Sequence, residues 1–191
     1  MHTATGCAFS LAVYCGARTG LSTVHAEHAR LLGQWIGHNK GQLVYGGGGH
    51  GLMGILANAT LDSGGRVVGI IPQSMVEREW AHQDVSELVI VQTMHERKAA
   101  MIERSDAIVA ISGGIGTLDE FFEAWTWRQL GYHNKPVGLL NIGGYFDHLL
   151  SFLQQSVQED FLGQQHLHML HTSDSIEGIT RQLLPQLFSA A

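Results

Sequence analysis

Hydrophobic and polar positions along this chain fall into two alternating rhythms. Short, unbroken apolar runs occur at "FSLAVYCG" (9–16), "QLVYGGGG" (42–49), "RVVGIIP" (66–72), "ELVIVQ" (87–92), "DAIVAIS" (106–112) and "KPVGLLNI" (135–142). Between them lie longer segments with helical spacing, as in 21–41, where Val24, His28, Leu31, Leu32, Trp35 and Ile36 mark one face. Further helical segments are 51–65, 94–105, 117–131 and 145–160, and the tail offers a weak strand at 167–173 and a last helix at 174–188. Strands that are apolar throughout are covered on both faces, so this alternation predicts a parallel sheet between two helical layers. The expected fold is α/β: a Rossmann-like, doubly wound parallel sheet with helices on both faces, in a single domain over 1–191. The segment "QSMVEREWAHQD" (73–84) breaks the rhythm and reads as a lid or loop.

Glycines collect where strands hand over to helices: Gly16, Gly46 to Gly49, and Gly113, Gly114 and Gly116. Ligands of doubly wound sheets bind beyond the carboxyl ends of strands, beside helix N-termini. Three junctions are therefore built for close approach of backbone to a ligand. "GGGGHG" (46–51) fits G-x-G-x-x-G, but it follows the second strand, and the next strand ends in "GIIPQS" without a carboxylate. That argues against NAD or FAD, and the missing Lys-Ser or Lys-Thr argues against a Walker loop. Four consecutive glycines exceed the needs of a turn, so Gly47, Gly48 and Gly49 are expected to form a secondary ligand-facing loop.

"SGGIGTLDE" (112–120) admits two readings that can coexist. Thr117 and Glu120 match a capping box at the start of a helix. The glycines before them free consecutive backbone N–H groups to cradle an anion at the positive end of a helix dipole. "MHERKAAM" (94–101) carries a second capping box, Thr93 with Glu96. It also sets Arg97 and Lys98 beside the apolar stripe of Met94 and Met101. These cations either reach to the edge of the fold or project into a pocket as partners of an anion or carboxylate.

The formal charge of −6 and the lack of a basic stripe argue against a nucleic-acid polymer as partner. With 45% hydrophobic and 15% charged residues, the composition is globular. No apolar run approaches ~18 residues, so no membrane partner is expected. Cys7 and Cys15 lie on or beside one strand, too far apart to bridge, which fits a cytoplasmic location. The densest histidines, "HLHMLH" (166–171) and "HAEH" (25–28), lack matching ligands, so no metal is expected.

Together, "YGGGGHGLMG", "MHERKAAM", "SGGIGTLDE" and "WTWRQLGYHNKPVGLLN" resemble the Lonely guy (LOG) family of cytokinin riboside 5′-monophosphate phosphoribohydrolases, over about residues 9 to 165. Ser112 replaces the proline of the family signature P-G-G-x-G-T-x-x-E, and Asp119 stands where a second glutamate is usual. The resemblance implies hydrolysis of the N-glycosidic bond of a nucleoside 5′-monophosphate, AMP or an N6-modified AMP, by a homodimer or a larger assembly of dimers without a cofactor. It implies Arg97 and Glu120 as the catalytic pair. It implies Gly113, Gly114, Ile115, Gly116 and Thr117 as the phosphate cradle, and Glu79, Lys98 and Thr126 as further ligand contacts. Glu120 would stabilise positive charge on the sugar, while Arg97 would hold Glu120 or touch the ligand. His50 and His95 titrate in a useful range but carry no specific signal for protonating the base. Two rivals are a pyridoxal-phosphate lysine decarboxylase, for which Lys98 is the sole Schiff-base candidate, and a non-catalytic nucleotide or molybdenum-cofactor carrier.

Overall fold

The structure is a computed structural model, and it describes residues 6–78 and 80–188. Seven strands, all parallel, form one sheet in the order β4-β3-β2-β1-β5-β6-β7. In chain order the elements are β1 (Ser10–Tyr14), α1 (Thr23–His38), β2 (Gln42–Tyr45), α2 (Gly51–Asp62), β3 (Arg66–Pro72), α3 (Gln73–Val76), β4 (Glu87–Val91) and α4 (Met94–Glu103). They continue with β5 (Ala107–Ala110), α5 (Ile115–Gln129), β6 (Val137–Leu140), α6 (Asp147–Gln158), α7 (Gln164–Leu167), β7 (Leu170–Ser173) and α8 (Ile176–Leu183).

Alternation along each strand sends side chains to two cores. Leu11, Val13, Leu43 and Val109 pack under α1, α2 and α8, with Leu32, Ile36, Leu56 and Ile179. Ala12, Tyr14, Val44 and Ala110 face the opposite side and pack under α4, α5 and α6, with Met101, Phe121, Ala124 and Leu153. This two-sided burial is why the strand sequences carry no polar alternation. Phe121 is fully buried beneath α5 and truncating it to alanine would cost about 3–5 kcal/mol.

The chain winds outward from β1 to β4, then returns to place β5 on the other side of β1. The order reverses between β1 and β5, and the loops leaving these two strands must part there. They remain joined at their base, where Gly16 N–H donates to Ser112 O at 3.0 Å. Any side chain at Gly113 would overlap Thr117, so the glycine is required by close packing at this junction.

The segment read as a lid is partly helical, with one turn at α3. Its later part pairs with the glycine run: Gly49 N–H donates to Trp80 O, His82 N–H donates to Gly47 O, and Gly48 bridges Ala81 in antiparallel fashion.

Candidate active site

Four elements converge beyond the carboxyl ends of β1, β2, β3 and β5. Arg97 and Lys98 come from α4, whose first turn is fixed by Thr93 accepting from Glu96 N–H at 3.1 Å. The Glu96 carboxylate accepts from Gln92 N–H at 2.9 Å, so the expected capping box forms with its return bond one residue further out. Neither cation reaches to the edge of the fold: Arg97 is 7% exposed and Lys98 6%.

Arg97 is held at three points. Its Nε donates to Ile70 O at the end of β3 (3.1 Å), and one terminal nitrogen donates to Gly46 O just past β2 (2.8 Å). Its other terminal nitrogen lies 3.4 Å from Glu120 Oε1. Two carbonyls at the end of a parallel sheet thus aim a guanidinium at one carboxylate. A side chain at Gly46 would overlap that guanidinium, which gives this glycine its reason.

The rest of the glycine run, expected to form a ligand-facing loop, makes its backbone contacts with protein. Gly47 adopts φ +72° against Ile70 and Ile71, and Gly47, Gly48 and Gly49 take their backbone partners from residues 80–82. The run turns toward protein because it must support Arg97 on one side and receive the 80–82 segment on the other.

Helix α5 begins earlier than its capping pattern predicts. Its N-cap is Gly114, Ile115 is its first residue, and no side chain caps it. Thr117 lies inside the first turn and is buried, so it does not form a box with Glu120. Glycine at the N-cap shifts the start because it takes the extended cap conformation freely. Among the described residues no side chain pairs with the first amides of α5, and a side chain added at Gly114 or Gly116 would meet only open space. A helix N-terminus of this kind suits an anion by geometry and dipole. Ile115 stands almost fully exposed at its rim.

Two residues that sequence reasoning missed hold this cradle. His25 Nδ1 lies 2.8 Å from Ser112 Oγ, and Tyr145 donates its hydroxyl to Gly113 O at 2.5 Å. Their rings meet edge to face. The serine in place of the signature proline is thus tied down by hydrogen bonding. A histidine in α1 and a tyrosine after β6 have no local pattern that links them to residue 112.

Glu120 is 9% exposed. Burial pushes its carboxyl above the usual range. The Arg97 charge opposes this, Asp119 adds to it, and Lys98 and Glu123 act in opposite directions more weakly. Lys98 lies between two other carboxylates of α5, 2.7 Å from Glu123 Oε2 and 3.2 Å from Asp119 Oδ2. Burial works against its charge, but the hydrogen bonds it donates to Glu123 and Asp119 prevail and hold its ammonium above the usual lysine value. Thr126 is exposed on α5, roughly 9 Å along the axis from Glu120 at ~1.5 Å per residue, and is not brought into this cluster. Glu79 lies outside the described residues. His50 and His95 are exposed, and among the described residues neither joins the Arg97–Glu120 cluster. Beside the cradle a depression of about 550 Å³ opens between Ala17–Leu21 and Gly51, at the start of α2.

A strand-order reversal carrying a glycine-capped helix N-terminus, with a buried arginine–glutamate pair, defines a Rossmann-like α/β protein. Comparison with known proteins agrees. The family model described as "Possible lysine decarboxylase" matches residues 53–183. The chain is 46% identical over 170 residues to a cytokinin riboside 5′-monophosphate phosphoribohydrolase of Rhodococcoides fascians, covering 88% of this chain and 86% of that one. It is 40% identical over 173 residues to an enzyme of the same name from Arabidopsis thaliana, covering 91% and 81%. The chain belongs to this family, that of the Lonely guy (LOG) proteins. Among solved structures, the molybdenum cofactor carrier protein of Chlamydomonas reinhardtii shares the fold, with a TM-score of 0.69 at 21% identity over 92% of this chain and 98% of that one.

Proposed function

We propose that the protein is a phosphoribohydrolase that cleaves the N-glycosidic bond of a nucleoside 5′-monophosphate, giving the free base and ribose 5-phosphate. AMP or an N6-modified AMP such as a cytokinin riboside monophosphate is the substrate. The names of the relatives support the activity. The observation that carries it in this chain is the buried Arg97–Glu120 pair set beside the open amides of α5.

The 5′-phosphate docks on the amides of Ile115, Gly116 and Thr117, flanked by Gly113 and Gly114, where the dipole of α5 favours negative charge. The ribose then lies over the start of α5, toward Glu120. As the bond from C1′ to the base nitrogen breaks, positive charge grows on the sugar, and the ionised Glu120 stabilises it. Water attacks C1′, loses a proton, and the base leaves with one. Arg97 keeps Glu120 ionised against the burial that would otherwise neutralise it. Lys98 keeps Asp119 and Glu123 from adding their full repulsion.

The chemistry of Lys98 opposes the decarboxylase reading. A Schiff-base lysine must become a neutral amine, and Lys98 is bound as an ammonium by two carboxylates. In this reading Thr126 meets the ligand only in the assembled protein, and Glu79 is a further ligand contact. The protein works as a single domain over 1–191, as a homodimer or larger assembly of dimers, in the cytoplasm, and on mononucleotides instead of a polymer.

The test is release of free base from AMP, N6-isopentenyl-AMP, GMP and CMP by wild type and Glu120→Gln. Wild-type turnover that collapses in the variant supports the proposal. Equal rates in both, or nucleotide bound and returned unchanged as by a carrier, overturn it.

A further inference from the structure

Three consecutive peptides lead into α5, and each has its carbonyl taken. Ser112 O accepts from Gly16 N–H at 3.0 Å, and Gly114 O accepts from Leu118 N–H at 3.2 Å as the first helical turn closes. Between them, Gly113 O accepts from the hydroxyl of Tyr145 at 2.5 Å. The outer two peptides are fixed by backbone, whereas the middle one is fixed by a side chain. That middle peptide also joins two glycines, so it is the freest of the three to rotate.

A trans peptide is planar, and its N–H points opposite to its C=O. With Gly113 O turned to the tyrosine, the Gly114 N–H is turned away from it. Rotating this peptide by half a turn would exchange the two and present a carbonyl in place of a donor. It would also carry Gly114 from φ −98° to positive φ, a conformation that glycine accepts and other residues resist.

Tyr145 is itself aimed. Its ring meets His25 edge to face at 5.3 Å between centroids, and Phe146 in the same manner at 4.9 Å. Asn141, just past β6, accepts from Phe146 N–H and donates to the Asp147 carboxylate, each at 2.7 Å, which closes the turn that carries the tyrosine. His25 also lies 2.8 Å from Ser112 Oγ, so one histidine touches both the tyrosine and the residue before Gly113.

We propose that Tyr145 is a positioning residue for the substrate's 5′-phosphate: its hydroxyl locks the Gly113–Gly114 peptide with the Gly114 N–H turned to the anion. The role rests on the reading of the start of α5 as the phosphate site. A donor locked in advance needs no reorganisation when the anion arrives, while a carbonyl in its place would repel the phosphate.

The test is Tyr145→Phe, which removes the hydroxyl and keeps the ring against His25 and Phe146. It is read by kinetics on AMP and by calorimetric binding of ribose 5-phosphate, which needs no turnover. KM for AMP and Kd for ribose 5-phosphate should each rise about tenfold, as for loss of one hydrogen bond to a charged group, with kcat changing less. Gly114→Ala supplies an arm that a merely structural role would not move. Alanine disfavours the rotated peptide through its φ, and its methyl meets open space. In that background, removing the Tyr145 hydroxyl should change Kd by less than about twofold. In backbone NMR spectra, ribose 5-phosphate should shift the Gly114 amide of wild type and leave that of Tyr145→Phe nearly unmoved. Unchanged KM and Kd in Tyr145→Phe overturn the role, as does a wild type that does not bind ribose 5-phosphate. A tenfold loss that persists in Gly114→Ala also overturns it, because the hydroxyl would then act by a route other than this peptide. If wild type leaves AMP intact yet binds ribose 5-phosphate through Tyr145, the hydrolase reading falls and the lock stands. If AMP is cleaved and only the Tyr145 arms fail, the lock falls and the hydrolase reading stands.

Discussion

Arg97 meets Glu120 across 3.4 Å, with both side chains buried and the arginine braced by the carbonyls of Ile70 and Gly46. The brace makes the pair directional. A guanidinium can serve two carbonyls and a carboxylate at once, whereas an ammonium cannot match that planar spread. Arg97→Lys is expected to fold and to lose at least ~100-fold in kcat/KM, about 2.7 kcal/mol of transition-state stabilisation. Steady-state kinetics on AMP with a thermal melt check both halves. Wild-type turnover would show that the brace is unnecessary.

Gly46→Ala tests the same pair without altering any functional group. The added methyl would overlap the Arg97 guanidinium and push it from Glu120. Activity should fall nearly as far as in Arg97→Lys. Retained activity would mean that Arg97 can move aside without consequence.

Gly114 and Gly116 make a contrast with Gly113. At Gly113 an added methyl collides with Thr117, whereas at Gly114 and Gly116 it meets open space. Gly116→Ala replaces a poor helix former in the first turn of α5 and should stabilise the protein by up to ~1 kcal/mol. It should also raise KM for AMP, because the methyl narrows the approach of a phosphate to the amides. Gly113→Ala should lose both stability and activity. A rise in stability with unchanged KM for Gly116→Ala would place the phosphate elsewhere.

The raised carboxyl of Glu120 has two consequences for pH. In the proposed mechanism the group must be ionised to stabilise the sugar cation, so the acid limb of kcat/KM should lie above the usual glutamate value near 4.3. The folded protein also holds this proton more tightly than the unfolded chain, so stability falls as pH rises from that value through the raised one. Glu120→Gln escapes that loss, and its melting temperature should gain on wild type as pH rises above the usual glutamate value. A difference that does not change with pH would show that burial does not oppose the charge.

Lys98 should matter to stability more than to phosphate binding, because its ammonium is taken by Glu123 and Asp119. Lys98→Met leaves the half-buried Glu123 without its cation and should cost about 3 kcal/mol at neutral pH, while the exposed Asp119 adds little. Since folding raises the lysine pKa, the stability it contributes is complete below about pH 10.4 and disappears as pH climbs through the raised value. Denaturant melts from pH 7 to 11 would show this as convergence of the two proteins. A persistent gap at high pH would mean that packing, and not charge, is what Lys98 provides.

Much of this was legible in the chain itself. Six unbroken apolar runs and a weaker seventh marked the strands of the parallel sheet, and helical spacing between them marked the layers, because period is a local property of a segment. Glycines at strand ends marked the junctions, and the spacing around Thr93 gave the cap of α4 correctly. The same kind of pattern misplaced the start of α5: Gly114 caps more freely than Thr117, and Thr117 is needed inside the turn against Gly113. What tertiary structure alone decided is which distant residues share a site. The return of the chain to set β5 beside β1 brings Glu120 to Arg97 and lets His25 and Tyr145 hold Ser112 and Gly113. Strand order is set by how whole layers pack, and no window of sequence contains that information.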